Sequence, residues 1–312
     1  MLIARNYSDC EEKSFVFTDQ RLTQAYQEAQ TIEFTKDSKF IFFSDLHRGD
    51  DSISDEFTRN QMITAAALEY YYKKGYTYIE VGDGDELWEY KKFKHIRTAH
   101  TDVFTTIKKY YDDHRFIMIY GNHNINIKHR AYTAHNYFYF YDEYKEQQRE
   151  LFRGIHPVEG VRLKYDKTGQ EILVVHGHQG DFFNDQFWYP TMLSLRYFWR
   201  LAHLVGFKNP ASPAKNQSKR HKIEKRYCKW IKKNKIMLIC GHTHRMKYPL
   251  RNDLPYFNCG CCIHTKGITG IEISNGKIML VQWRIRARDD GTLAVVPSVI
   301  KGPKPIEYFK FK

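Results

Sequence analysis

"KIMLICGHTH" (residues 235–244) sets an apolar run directly against two histidines one residue apart. A run of this length, rich in aliphatic side chains, reads as a buried strand. In extended chain, positions i and i+2 point the same way, so His242 and His244 can aim at one spot. Two imidazoles aimed at one point suggest a metal ion, although a surface turn could carry the same letters. The choice rests on whether the rest of the chain supplies matching ligands.

The same arrangement occurs four more times. "KFIFF" (39–43) precedes "SDLHRGD", "YTYIEV" (76–81) precedes "GDGDELW", "RFIMIY" (115–120) precedes "GNHN", and "EILVV" (171–175) precedes "HGHQGD". Short runs of Ile, Val, Phe and Tyr read as buried strands. Helical patterns lie between them. Residues 55–74 end in "AAALEYYYKK" before Gly75, and Val103, Ile107 and Tyr111 form a four-residue stripe. Strands alternating with helices predict an α/β layered fold whose functional loops sit at strand ends. The tail, 267–312, begins with two alternating strands around Asn275-Gly276, a type I′ hairpin signal. A weaker hairpin is expected at 161–175 around "DKTGQ".

The 312 residues are 42% apolar, which allows one substantial core, and we read 1–312 as a single domain. The opening "MLIARNYSDCEEK" turns polar at once, and no apolar run approaches the roughly 18 residues that span a bilayer. Six cysteines in a chain this long do not resemble a disulfide framework. A reduced, cytoplasmic setting is expected. The net charge of +13 is concentrated: residues 191–235 hold thirteen Lys or Arg and a single acid, Glu224. This basic stretch falls within 182–235, which reads as an inserted helical cap broken by "KNPASPAKNQSK".

Each of the five loops opens with metal-ligand chemistry. They supply Asp45 and His47, Asp83, Asn122 and His123, His176 and His178, and His242 and His244. Carboxylate, amide oxygen and imidazole together suit a mid-row divalent ion, and the absence of thiolate argues against a closed structural zinc site. The ligands exceed one ion's needs, which implies a dinuclear centre.

The ordered series "DLH", "GD", "GNH", "HGH", "GHTH" resembles the calcineurin-like metallophosphoesterase superfamily. "GDGDELW" further resembles, less specifically, the Gly-Asp-x-x-Glu-x-Trp pattern of the UDP-2,3-diacylglucosamine pyrophosphohydrolase branch. The resemblance implies a β-sandwich of two mixed sheets flanked by helices, with a helical cap insertion. It implies that Asp45, His47, Asp83 and His244 hold one ion, and that Asp83, Asn122, His176 and His242 hold the other, with Asp83 bridging. Two cations would acidify a bridging water and clamp the phosphoryl oxygens. Manganese is the first choice, then iron or zinc. His123 would protonate the leaving oxygen or, alternatively, orient its neighbours, and His123, Asp83 and Asn122 are the expected catalytic set. Here the chain departs from the superfamily pattern, because Asn124 stands where a carboxylate usually follows the histidine. An Asp–His pair is therefore absent, and Asn124 could orient the ring but not stabilise its cation as a carboxylate does.

Other residues have two readings. His178 is expected beside the ligands rather than among them, and Glu86 and Trp88 are read as supporting residues. Arg48 could grip phosphate bidentately or be a solvated loop arginine. "FNCGCC" (257–262) is read as small residues lining a nearby loop rather than a thiolate site, and His264 is the one further histidine of interest. "NYFYFYDEY" (136–144) reads as an aromatic core helix or as a face across the cleft. In the cap, Arg196, Arg200 and His203 share one helical face, and Ile223, Tyr227, Trp230 and Ile231 form a stripe. The cap is either a helical pair packed on the core or a cover that binds an anionic substrate. The expected activity is a dinuclear phosphohydrolase cleaving a phosphoester or pyrophosphate bond of a nucleotide- or lipid-linked anionic substrate. The alternative is a nuclease-like or nucleic-acid-binding protein gripping phosphates through 191–235, with a protein phosphatase less favoured. Contact with a membrane surface through 191–235 would suit a lipid-linked substrate.

Overall fold

All five apolar runs are strands, and alternation decides what each face buries. The computed structural model describes residues 2–196 and 216–311, without the side chains of 2–13 and Phe183. In chain order the strands are β1 (Gln30–Phe34), β2 (Phe40–Phe43), β3 (Thr77–Val81), β4 (Phe116–Ile119), β5 (Tyr139–Asp142), β6 (Gln147–Glu150) and β7 (Gly160–Tyr165). They continue as β8 (Glu171–Val175), β9 (Met237–Cys240), β10 (Tyr256–Asn258), β11 (Ile268–Ser274), β12 (Lys277–Ala287) and β13 (Leu293–Pro305). One mixed sheet has the order β1-β7-β8-β9-β10 and the other β13-β12-β11-β2-β3-β4. Phe40, Phe42, Ile79 and Val81 meet Ile172, Val174, Met237 and Ile239 between the sheets.

The alternate residues face outward onto helices. These are α1 (Leu2–Glu28), α2 (Gln61–Lys73), α3 (Phe93–Ala99), α4 (Thr101–Asp112), α5 (Arg130–Tyr137), α6 (Phe182–Asp185), α7 (Trp188–Ser194) and α8 (Gln217–Asn234). Ile41, Phe43 and Tyr78 pack on Ile63, Ala67 and Tyr71 of α2 and on Val103, Phe104, Ile107 and Tyr110 of α4. Leu173, Val175 and Leu238 pack on Leu22 and Ala25 of α1 and on Ile223, Tyr227, Trp230 and Ile231 of α8. Each such side chain contributes about 1.5–3 kcal/mol by leaving water. The result is the expected β-sandwich of two mixed sheets flanked by helices.

Four readings change. First, α8 is a layer of the sandwich rather than part of a cap. Because β8 and β9 are parallel neighbours, their connection must cross over one face, and a helix with an apolar stripe serves. α8 is therefore excluded from the inserted piece expected at 182–235. Second, α5 ends at Tyr137, and 139–150 form a ribbon of a largely half-buried β5 and an exposed β6. The core-helix reading does not hold for "NYFYFYDEY", since the helix ends at Tyr137 and Tyr144 is fully exposed. Third, the tail extends beyond a hairpin. β13 pairs with β12, and β11 joins the sheet through β2, while Asn275 and Gly276 adopt the left-handed φ values, 52° and 65°, of the expected turn. Fourth, α1 and β1, which periodicity did not signal, cover and extend the five-stranded sheet.

β2, β3 and β4 run parallel, as do β8 and β9. Their carboxyl ends therefore deliver all five motif loops to one edge of the sandwich.

Candidate metal centre

The loops leave their strands through conformations that L-residues avoid. Asp45, His47, Asp83, His242 and His244 all have left-handed φ, between 48° and 64°. Each costs roughly 1–2 kcal/mol, and such strain persists only where the surroundings enforce it. Here the loops brace one another through the backbone. Asp45 N donates to Gly82 O, His47 N to Asp83 O at 2.9 Å, Gly241 N to His176 O at 2.8 Å, and Cys262 N to Asp45 O at 3.1 Å. Gly82 has φ +77°, and a Cβ there would lie 2.5 Å from the His176 ring, so both backbone freedom and space require glycine.

Two groups of potential ligands result, Asp45 with His47 and His244, and Asp83 with His176 and His242. Asp45 is fully buried. Its Oδ2 accepts from His242 N at 2.9 Å, while Oδ1 lies 3.1 Å from His244 Nε2. His47 Nε2 lies 3.2 Å from His244 Nε2. Asp83 stands between the groups: Oδ1 accepts from His123 N at 2.8 Å, and Oδ2 is 3.1 Å from His176 Nε2 and 3.8 Å from His47 Nε2. Asn122 is buried beside them.

The fit to metal ions can be tested on hydrogen bonding. Buried polar atoms are nearly always paired. Asn122 Oδ1 and His242 Nε2 are nonetheless buried without a hydrogen-bond partner, and Asp45 Oδ1 and His176 Nε2, each 3.1 Å from an ionisable neighbour, lack a well-formed hydrogen bond. These are hard and borderline donors turned inward, which is the chemistry of a cation site. Electrostatics agree. Burial would raise the Asp83 carboxyl, but the imidazoles around it, His176 first, hold it well below the usual carboxylate range. Burial would lower the His244 imidazole, yet Asp45 pushes it up to about 10. A field that binds a proton so tightly is one that a divalent cation can answer.

His123 is held at the edge of these groups from two sides. Its Nδ1 lies 2.8 Å from Glu86 Oε1, and the Trp88 ring stacks on it with centroids 4.2 Å apart. Glu86 Oε2 also lies 2.7 Å from His47 Nδ1. Burial would raise the Glu86 carboxyl, but His123 and His47 hold it down at about 2, so it accepts from both rings. Among the described residues no Asp pairs with the His123 ring, as expected from Asn124, but Glu86 supplies a carboxylate from another loop. Asn124 does not orient the ring, because its Oδ1 accepts from Gly121 N at 2.7 Å. His47, Glu86 and His123 lie close enough to form a third cluster, but these hydrogen bonds account for it.

A model of the calcineurin-like phosphoesterase family matches residues 38–246. The chain belongs to this family. Several solved structures resemble the chain distantly. Vacuolar protein sorting 29 of Cryptosporidium parvum is 12% identical, covering 85% of this chain and 98% of its own, with a TM-score of 0.38. An archaeal phosphodiesterase is 13% identical over 83% of this chain and 99% of its own, with a TM-score of 0.33. Vps29 of Chaetomium thermophilum is 11% identical over 87% and 100%, with a TM-score of 0.34. No curated protein sequence matches. Calcineurin-like phosphoesterases are metal-dependent, in keeping with the ligand clusters here.

The remaining site expectations divide. His176 Nδ1 is held by Val81 O at 2.9 Å, which turns Nε2 to Asp83. His178 is buried nearby and outside the clusters, and burial followed by the charge of His176 keeps its pKa well below normal. Arg48 neither reaches phosphate nor meets solvent. It is completely buried, with Nε 2.7 Å from Asp85 and Nη1 2.7 Å from Glu80, because its loop must be tied to β3. Arg196 is also spoken for, donating to the Leu87 and Trp88 carbonyls at 2.8 Å. Arg200 and His203 lie outside the described residues. Cys259, Cys261 and Cys262 are buried under the site, with Cys261 against His244, and no metal cluster among the described residues includes a thiol. His264 is exposed.

One residue was missed. Asp181, the last letter of "HGHQGD", is buried and lies 3.6 Å from His242 Nε2 and 2.7 Å from Lys219 Nζ. Its place in a ligand-bearing loop was the available signal.

Proposed function

We propose that this chain is a dinuclear metal-dependent hydrolase that cleaves a phosphoester or pyrophosphate bond in a nucleotide- or lipid-linked anionic substrate. The observation that carries this reading is the convergence of potential ligands from five loops, four of which bring buried atoms without a well-formed hydrogen bond. Asp45, His47, Asp83 and His244 would hold one ion, and Asp83, Asn122, His176 and His242 the other, with manganese the first candidate. When bound, the ions supply an acidified water and neutralise the phosphoryl oxygens. The remaining work falls to the chain. Burial of Asp45, Asp83 and His176 excludes bulk water from the ligands. His123 delivers a proton to the leaving oxygen from Nε2, while Glu86 on Nδ1 fixes the tautomer and stabilises the charged ring.

The nucleic-acid alternative depended on one basic face acting as a unit. α8 runs back from the site, since it links the carboxyl end of β8 to the start of β9. Its 18 residues span about 27 Å. Lys219 is at the site end, where it pairs with Asp181, while Lys229, Lys232 and Lys233 lie towards the far end. These three lysines are thus remote from the chemistry and beyond the reach of a small anionic substrate, whereas a long polyanion bound along α8 would need them. Elemental analysis, with assays on phosphomonoester, phosphodiester and pyrophosphate substrates, tests the proposal. Turnover of none of them with any added Mn, Fe or Zn would overturn it.

A further inference from the structure

Arg196 was expected to face substrate, but its guanidinium is spent on protein backbone. Nε donates to Trp88 O and Nη2 to Leu87 O, both at 2.8 Å. Leu87 and Trp88 are almost completely buried, and they lie in a turn closed by Tyr90 N donating to Glu86 O at 3.1 Å. A buried turn leaves carbonyls that need donors, and a planar fork with several N–H groups can serve two neighbouring carbonyls at once.

The same turn carries both groups that hold His123. Glu86 bonds its Nδ1, and Trp88 lies flat against its ring, 22° from parallel. Arg196, two residues beyond α7, therefore joins the segment after "HGHQGD" to the turn that aims the proton donor. We propose that Arg196 is a positioning residue for His123, acting through the Glu86–Trp88 turn, so that seating of the α7 segment and alignment of the donor are one event. This rests on the reading of His123 as proton donor.

The physical consequence is selective. A displaced donor matters little when the leaving group is stable as an anion, and much when it must be protonated to depart. The test uses aryl phosphodiesters of rising leaving-group pKa, with the metal-loaded wild type, His123→Ala, Arg196→Met and Arg196→Lys. His123→Ala and Arg196→Met should both steepen the dependence of kcat on leaving-group pKa, with losses of about ten- to a hundredfold on the poorest leaving group. Arg196→Lys, which keeps the charge but not the fork, should fall between them and the wild type. Bound metal and circular dichroism should stay at wild-type values. A steep His123→Ala line beside an Arg196→Met line parallel to wild type, whether uniformly slower or with only KM raised, overturns the positioning role alone. A His123→Ala line parallel to wild type removes the proton-donor reading, and the inference with it.

Discussion

Glu86 Oε1 lies 2.8 Å from His123 Nδ1, although the two residues are 37 apart in the chain. The acid partner of this histidine comes from the loop after β3, not from the residue beside it. Glu86→Gln should lower kcat about 10–100-fold at saturating metal, the usual cost of removing such a partner. Combined with His123→Ala it should cost less than the product of the two single losses, because Glu86 acts through His123 as well as through His47. Additive losses in steady-state kinetics would contradict this.

Two divalent ions per chain are expected by elemental analysis of gently purified protein. Removing them leaves buried atoms such as Asp45 Oδ1 and Asn122 Oδ1 without a well-formed hydrogen bond, so chelation should lower the thermal midpoint by several degrees. Binding at a hundredfold excess over Kd is worth about 2.7 kcal/mol. Asp83→Asn should abolish turnover and reduce both occupancies while secondary structure persists. A chelated protein with an unchanged midpoint would count against the site.

His176→Ala should lose bound metal, because Val81 O directs its Nε2 toward Asp83. His178→Ala should keep both ions and lose less activity. Asp181→Asn should weaken Mn binding about 10–100-fold in a calorimetric titration, as expected for a carboxylate beside a ligand histidine. A greater metal loss for His178→Ala than for His176→Ala would reverse the assignment of this loop.

Arg48→Met should destabilise the fold by about 3–5 kcal/mol, since it strands the buried acids Glu80 and Asp85. Arg48→Lys should rescue only part of this, because one ammonium cannot match a guanidinium that engages both carboxylates. Urea unfolding measures both. A midpoint unchanged in Arg48→Met would show that the pair carries no net stability.

Replacing Lys229, Lys232 and Lys233 together with Gln should leave KM for the anionic substrate within about twofold, since they lie towards the far end of α8. Replacing Lys219 and Lys222 with Gln should raise it severalfold. Equal effects of the two sets, measured across salt concentrations, would restore the view of α8 as one polyanion-binding face.

The strands and the polar residues gathered at their ends were legible in the sequence because both signals are local. An apolar run marks a buried strand, and the polar residues immediately after it must lie at the strand's end, so "IFFSDLH" and "MLICGHTH" each declare a strand and its candidate ligands together. Asn275-Gly276 likewise fixes its own turn, whatever surrounds it.

Contacts between loops were decided only by tertiary structure. Sequence spacing could not bring Glu86 to His123, bury Arg48 between Glu80 and Asp85, or turn Arg196 onto the Leu87 and Trp88 carbonyls. A charged side chain shows by its type that it needs a partner, but the partner is whatever the packed layers place within reach. The stripe on α8 likewise showed that one face is buried, not which layer it covers. That followed from β8 and β9 being parallel neighbours, a property of the whole sheet rather than of any segment.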